Sequence, residues 1–220
     1  MKMLGKGAIA IVAGSLLVCS AYAGTKEAEE FVRSGNEYGK NGKFDRAAEE
    51  FTKAIKADPS DARSYFLRSG AYAFKGDFDK AIADCDEAIR LQPAIARGYF
   101  FRGNIYSVKG DASRAISDYS KAIEIDPLFA RAYENRGREC AMKGDFKTAI
   151  IDITKAIELD PKRALSYEAR GHAYYDTGDY ERSISDLDEA LRLDPNMERA
   201  QSLRAKAYVA KFKKDTKKTP

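Results

Sequence analysis

The sequence is poor in the residues that most often carry chemistry. It has no tryptophan, three cysteines and a single histidine, His172, in 220 residues. One imidazole offers neither a histidine cluster nor a Cys/His set with metal-site spacing, and no glycine-rich phosphate loop occurs. We therefore expect no catalytic residue, no metal and no cofactor, and predict that the protein is not an enzyme.

Long hydrophobic runs are also missing. The one apolar run extends only from Ala8 to Ala21, follows two lysines and precedes the small-residue triplet Ala21-Tyr22-Ala23. A membrane-spanning helix needs about 20 apolar residues, so this shorter run indicates an export signal. We predict that residues 1–23 are cleaved after Ala23 and that the protein is periplasmic or secreted.

An alternative reading of the leader uses Cys19 as the site of a lipid anchor. Lipoprotein signals resemble Leu-x-small-Cys, whereas the residue before Cys19 is the bulky Val18. The cleaved signal is therefore favoured. Cleavage leaves Cys85 and Cys140. Each stands at a position where the equivalent residues elsewhere in the sequence are apolar, so both are predicted to be buried free thiols.

Strong charge of one sign is absent from the body of the chain. The formal net charge is +4, of which the leader supplies +2 and residues 204–220 supply +6, leaving −4 for residues 24–203. A nucleic-acid groove needs a basic stripe along the fold, so we expect no nucleic-acid partner. The basic tail is the only part expected to contact a membrane.

What the sequence does have is a strict repeat, in which prolines and glycines recur at one constant interval. Such a period indicates one supersecondary unit copied in tandem, each copy contacting its neighbours, with an extended surface rather than a single pocket. The repeating positions are Pro59, Pro93, Pro127, Pro161 and Pro195, and Gly42, Gly76, Gly110, Gly144 and Gly178.

Each repeat has the pattern of two antiparallel helices. In the second repeat, Asp61 to Lys75 is predicted as a helix, Gly76 ends it, and a further helix follows Asp77 to about Leu91. The Asp-Pro steps, as at Asp58, are interpreted as a helix cap followed by the first helical position. We call the equivalent positions of successive repeats a column. Some columns hold alanine and others hold aromatic residues, which predicts core packing of small against large residues.

These columns, the Gly-Asp turn and the closing Asp-Pro resemble the tetratricopeptide repeat (TPR) over about residues 28–197. The resemblance implies an all-α fold: an α-solenoid of five antiparallel helix pairs in a right-handed superhelix, with a concave groove that binds proteins or peptides. It fixes no reaction. The predicted parts are the export signal 1–23, repeats 28–61, 62–95, 96–129, 130–163 and 164–197, a capping helix 198–212, and a basic disordered tail 213–220.

A column of arginines accompanies a column of acids. Each acid can be matched with the arginine of the next unit along the chain, from Glu50 with Arg68 to Asp186 with Arg204, whereas the first repeat has Ser34 in the arginine column. We therefore expect these pairs to cross from one repeat to the next and to fix the stacking register.

The first helix of each repeat has one stripe of residues for the core and a second stripe beside it that should be solvated. In repeats two and three this second stripe is apolar. In the family this stripe lines the concave groove, so we predict a peptide-binding patch with an apolar centre and a polar rim. The alternative is that the rings pack inside the protein. The predicted site residues are Arg63, Phe66, Leu67, Phe74, Arg97, Phe100, Phe101, Asn104, Val108, Arg131 and Asn135.

The sequence predicts two alternative functions. The first is an exported scaffold or adaptor that holds a protein or peptide segment, as part of an envelope assembly or secretion system. The second is a glycan-binding module for exported polysaccharide or peptidoglycan. Groove rings that are phenylalanine, without tryptophan, favour a peptide over a sugar.

Overall fold

The structure is a computed structural model that describes residues 26–216. The predicted export signal and the final residues of the predicted tail lie outside the described residues. The described chain forms only α-helices, which we number α1 to α11: Lys26–Lys40, Phe44–Ala57, Ala62–Lys75, Phe78–Leu91, Ala96–Val108, Ala112–Ile125, Ala130–Met142, Phe146–Leu159, Ala164–Asp176, Tyr180–Leu193 and Glu198–Thr216. The predicted all-α solenoid of helix pairs is confirmed.

The chain divides into two compact units at Ile125. The first unit holds three helix pairs, α1 with α2, α3 with α4 and α5 with α6. The second holds two pairs, α7 with α8 and α9 with α10, followed by the single helix α11. That last helix continues to Thr216, so residues 213–216, predicted as part of a disordered tail, are helical.

The second hairpin shows why these residues form these helices. Asp61 caps α3 by accepting hydrogen bonds from the backbone N–H groups of Arg63 and Ser64, at 3.1 and 3.2 Å. Gly76 ends the helix in the left-handed conformation, with φ of 85°, which a residue with a side chain adopts only at a cost. The chain then reverses into α4 at Phe78.

The Asp-Pro steps do not start helices, contrary to the sequence interpretation. Asp58 follows the last residue of α2, and α3 begins only at Ala62. The Asp58 carboxylate accepts a hydrogen bond from the backbone N–H of Ser60 at 3.0 Å, which closes a turn. The aspartate and proline therefore form the connection between hairpins. The aspartate carboxylate accepts its hydrogen bond within this turn and does not cap a helix.

Small residues allow the helices of each pair to approach closely. A Cβ added to Gly35 of α1 would lie 2.5 Å from the ring of Phe51 in α2. The alanine column on the second helices is entirely buried, as the packing of small against large residues predicted. Its members are Ala54, Ala88, Ala122, Ala156 and Ala190.

The arginine column does pair with the column of acids, but the predicted partners are wrong. Arg68 of α3 makes a two-pronged contact with Asp84 of α4, at 2.8 and 2.7 Å, within one hairpin. The same pairing recurs within both units, because an arginine of the first helix faces an aspartate of the second helix across the antiparallel pair. The pairs are Arg68–Asp84, Arg102–Asp118, Arg136–Asp152 and Arg170–Asp186.

The contact between repeats uses a column that the sequence analysis did not consider. The third guanidinium nitrogen, Nη1 of Arg68, donates to Thr52 Oγ1 of the preceding hairpin at 3.0 Å. Arg170 reaches Thr154 in the same way at 3.1 Å. Each of these two arginines thus joins successive hairpins while its charge is balanced inside its own.

Candidate functional site

A groove in the first unit lies between α1 and α3 and above α2. Its volume is about 1000 Å³. We call it the first groove. It is lined by Lys26, Glu29, Glu30, Val32, Arg33, Gly35, Asn36, Glu37, Gly39, Lys40, Gly42, Phe44, Ala47, Phe51, Arg63, Leu67, Gly70, Ala71 and Phe74.

The floor of the first groove is apolar and buried. Val32, Ala47, Phe51, Leu67 and Ala71 belong to one buried cluster contributed by α1, α2 and α3. Beside them, the rings of Phe44 and Phe74 stack face to face with centroids 4.5 Å apart and planes inclined by 2°. A floor of this kind offers apolar contacts to an apolar side chain.

The rim of the first groove is charged in both signs. Lys26, Arg33, Lys40 and Arg63 supply cations, while Glu29, Glu30 and Glu37 supply anions, all from helices that line the groove. Asn36 adds an amide with both donor and acceptor groups. Mixed charges around an apolar floor can meet the polar backbone of a bound chain and orient it.

Glycines keep the first groove open. Gly39 lines it, and a Cβ built on this residue would meet no atom within 4 Å. The groove therefore has room for a side chain of a ligand at this position. Gly70 of α3 lines the groove as well.

Three of the predicted site residues line the first groove: Arg63, Leu67 and Phe74. Arg63 and Phe74 are half-buried, whereas Leu67 retains 3 % of its surface and forms part of the floor. The predicted site did not include any residue of α1. Gly39, whose Cβ position is open, and Gly70 on the facing helix were the signal that could have located the groove.

The predicted rings of α3 and α5 outside this groove pack against the protein itself. Phe66 and Phe101 are half-buried around one core cluster. Phe100 is 4 % exposed, and its ring lies 5.8 Å from that of Tyr119. The Tyr119 hydroxyl donates to Asn104 Oδ1 at 2.9 Å. These contacts match the alternative of internal packing, and direct contact with a partner stays a prediction.

Of the four remaining predicted residues, three are exposed. Arg97 and Val108 stand on α5 in the first unit and are exposed. Arg131 and Asn135 stand on α7 in the second unit, where Arg131 is exposed and Asn135 is half-buried. None of these four lines the first groove.

The second unit carries acids in the helix column that is apolar in the first. Glu134 is 1 % exposed and replaces the rings of Phe66 and Phe100. It accepts from Nε of Arg163 at 2.6 Å and from the hydroxyl of Ser166, so its charge is fully paired. A smaller cavity of about 420 Å³ includes the equivalent Glu168 together with His172, and its lining is mainly polar.

The two cysteines left after the predicted cleavage are buried and free, as predicted. Burial raises the pKa of the Cys85 thiol far above its usual range, and the neighbouring Ser69 hydroxyl, 3.0 Å from the sulfur, only partly offsets this. A neutral, enclosed thiol is a packing residue rather than a nucleophile. Among residues 26–216, no group of three potential metal ligands comes together.

An all-α array of helical hairpins with an open groove defines the chain as a helical repeat protein. Family models described as tetratricopeptide repeat match residues 32–96, 96–127 and 130–163, and one described as TPR repeat matches residues 171–211. The chain belongs to the tetratricopeptide repeat family. This fold is a protein-interaction scaffold, so the chain is a protein-binding repeat protein.

Solved structures of other repeat proteins share the fold. PilF of Pseudomonas aeruginosa has a TM-score of 0.76 at 17 % identity, covering 87 % of both chains. MamA of Desulfovibrio magneticus gives 0.72 at 17 %, covering 80 % of this chain and 99 % of that one. YrrB, described as having an unusual peptide-binding site, gives 0.67 at 21 %, covering 82 % and 94 %. No curated protein matches the sequence significantly.

Proposed function

We propose that the protein is an exported adaptor that binds a segment of a partner protein in the first groove. The observation that carries this proposal is the groove itself: an apolar floor shared by three helices, open at Gly39 and rimmed by side chains of both charges. A partner would place an aliphatic or aromatic side chain on the floor. Its backbone and any carboxylate would meet Arg33, Asn36 and Arg63.

The expected affinity is modest. Full burial of one anchor side chain contributes about 1.5–3 kcal/mol, and association and ordering costs offset part of the total from several contacts. We therefore expect a dissociation constant near 1 μM, which corresponds to about 8 kcal/mol. Such affinity suits a scaffold whose partners exchange.

A groove-filling variant tests the binding site directly. Gly39→Leu places a side chain in the open space of the groove, and no atom stands within 4 Å of its Cβ. Ala83→Leu is the matched control, because Ala83 is exposed on α4 and does not line the groove. Peptides selected from a random displayed library should bind the unmodified chain and Ala83→Leu equally.

Gly39→Leu should weaken that binding at least tenfold, which corresponds to about 1.4 kcal/mol. Its circular dichroism should match that of the control. Equal binding by both variants would remove the first groove as the site. A panel of peptidoglycan fragments and polysaccharides, titrated in parallel, tests the second function: groove-dependent binding of a glycan without any peptide binding would replace the peptide proposal.

The export part of the proposal rests on the leader, with its two lysines, its apolar run and the triplet Ala21-Tyr22-Ala23. We propose that the adaptor works in the cell envelope, on an assembly or secretion system. Expression of the whole sequence in a Gram-negative host should yield a periplasmic product whose first residue is Gly24. A cytoplasmic product that retains Met1 would contradict export, and a lipidated product that begins at Cys19 would indicate an anchored form.

A further inference from the structure

The last helix exposes an apolar stripe on the side that faces away from the body. Tyr208, Val209 and Phe212 are 53 %, 54 % and 70 % exposed. Together with Ala205 they follow helical spacing, so they share one face. On the opposite face, α11 packs against the second unit through Ala200, Leu203 and Ala207. We call residues 205, 208, 209 and 212 the outer stripe.

The repeat pattern explains why the outer stripe is uncovered. In the preceding hairpin, the residue equivalent to Tyr208 is Tyr174, which is 9 % exposed and lies under the guanidinium of Arg182 from α10. The equivalent of Ala205 is Gly171, which packs on Leu187 of α10. No helix follows α11 within the described residues, so the same face of α11 has no cover there.

The outer stripe differs at one position from the paired helices of the second unit. In the helix pairs of the second unit, the positions equivalent to Ala205 are glycines. A Cβ at Gly137 would lie 2.7 Å from Ile153, and one at Gly171 would lie 3.0 Å from Leu187. Ala205 already carries that Cβ. The protruding rings of Tyr208 and Phe212 suit a soft partner that adapts to them.

Basic residues flank the outer stripe. Lys206 and Lys213 are exposed on the side next to Val209, and Lys206 also lines the smaller cavity beside Glu168. By contrast, Lys211 pairs with Glu181 at 2.8 Å, and Lys214 donates to the Gly178 carbonyl at 2.8 Å, so both are turned towards the body. Over residues 204–220 the formal charge is +6.

We propose that the outer stripe docks the protein on an anionic lipid surface. Tyr208, Val209 and Phe212 enter the boundary between headgroups and acyl chains, and Lys206 and Lys213 contact lipid phosphates. Aromatic side chains with lysines beside them suit a helix that lies in this boundary, and each cation near the surface adds attraction. Among residues 26–216 no helix is long and apolar enough to span a bilayer.

Vesicle binding tests this proposal with a chain that starts at Gly24, which keeps every described residue and removes the apolar leader. It should bind vesicles that contain phosphatidylglycerol and not vesicles of phosphatidylcholine alone. Val209→Ser with Phe212→Ser should weaken binding on the order of tenfold or more, because both insertable side chains are lost. Leu128→Ser with Ile151→Ser removes two side chains that are also exposed, at 74 % and 60 %, and should leave binding unchanged.

Because the chain has no tryptophan, one introduced residue reports on insertion. Phe212→Trp should shift its fluorescence to the blue and be quenched by brominated lipid when anionic vesicles are added. Leu128→Trp, at another exposed site, should show neither effect. Equal responses at both positions, or none at position 212, would overturn the proposal.

Two further outcomes would also overturn it. One is vesicle binding that is equal in the serine variants and the unmodified chain. The other is a dimer, seen by light scattering without vesicles and lost in Val209→Ser with Phe212→Ser, because the outer stripe would then be a protein interface. Retention of the circular dichroism spectrum by the variants excludes misfolding as the cause.

Discussion

At the scale of single residues, the arginine column shows how charge is placed in the repeats. Arg68 and Arg170 each direct two nitrogens to an aspartate of their own hairpin. Sequence spacing predicted the residue types but selected the wrong partner, because each arginine lies almost equally far along the chain from the acid before it and the acid after it. Only the crossing of the helices decides between the two, and that is a property of packing.

A double-mutant cycle on Arg170 tests this assignment. Arg170→Leu should lower the free energy of unfolding by about 3 kcal/mol, because it leaves the nearly buried Asp186 without its partner. Coupling to Asp186 should exceed about 1 kcal/mol, whereas coupling to Asp152, the partner expected from sequence, should be below about 0.5 kcal/mol. The reverse order of the two couplings would restore the pairing between repeats.

The buried thiol of Cys85 gives a second test at this scale, through pH. The folded chain keeps the proton because burial raises the pKa of the thiol, while the unfolded chain loses it above about pH 8.5. The stabilising contribution is therefore complete below that pH and declines as pH rises, by about 1.4 kcal/mol per pH unit. Denaturation of Cys85→Ala between about pH 8 and 10 should show a shallower decline than the parent chain. Identical slopes would mean that the thiol is not enclosed.

At the scale of helices and turns, the sequence was most informative. The glycine at each turn, the small columns and the ring columns together predicted where α3 and α4 begin and end. The Asp-Pro steps were misread, since an aspartate before a turn and one before a helix look alike in sequence. The length of α11 was also underestimated, because a charged lysine-rich segment gives no apolar period past Phe212.

Two glycine substitutions separate the roles of glycine in these elements. Gly76→Ala should destabilise the protein by about 1 kcal/mol, because the residue has φ of 85° at the end of α3. Gly39→Ala should instead stabilise it by up to about 0.5 kcal/mol, because Gly39 lies in the last turn of α1 and its Cβ position is open. Thermal unfolding of both variants measures this, and a shift of the same sign in both would contradict the assigned backbone conformations.

At the scale of the molecule, the constant period of the prolines and glycines predicted the array, but it did not reveal the first groove. The prediction centred on rings in repeats two and three, and Phe100 proved to be buried against Tyr119. The first groove instead forms where α1 and α3 stand apart over α2, with glycine on both sides. Such a gap depends on how neighbouring helices are spaced, which residue patterns along one helix do not encode.

Site-specific crosslinking in the cell shows whether a partner occupies the first groove. A photocrosslinking amino acid placed at Gly39 faces the groove, while the same residue at Ala83 stands on an exposed face of α4 outside it. The proposed function predicts a discrete adduct from position 39 that a selected groove-binding peptide suppresses, with no such adduct from position 83. An absence of adduct at position 39, or equal adducts at both positions, would contradict it.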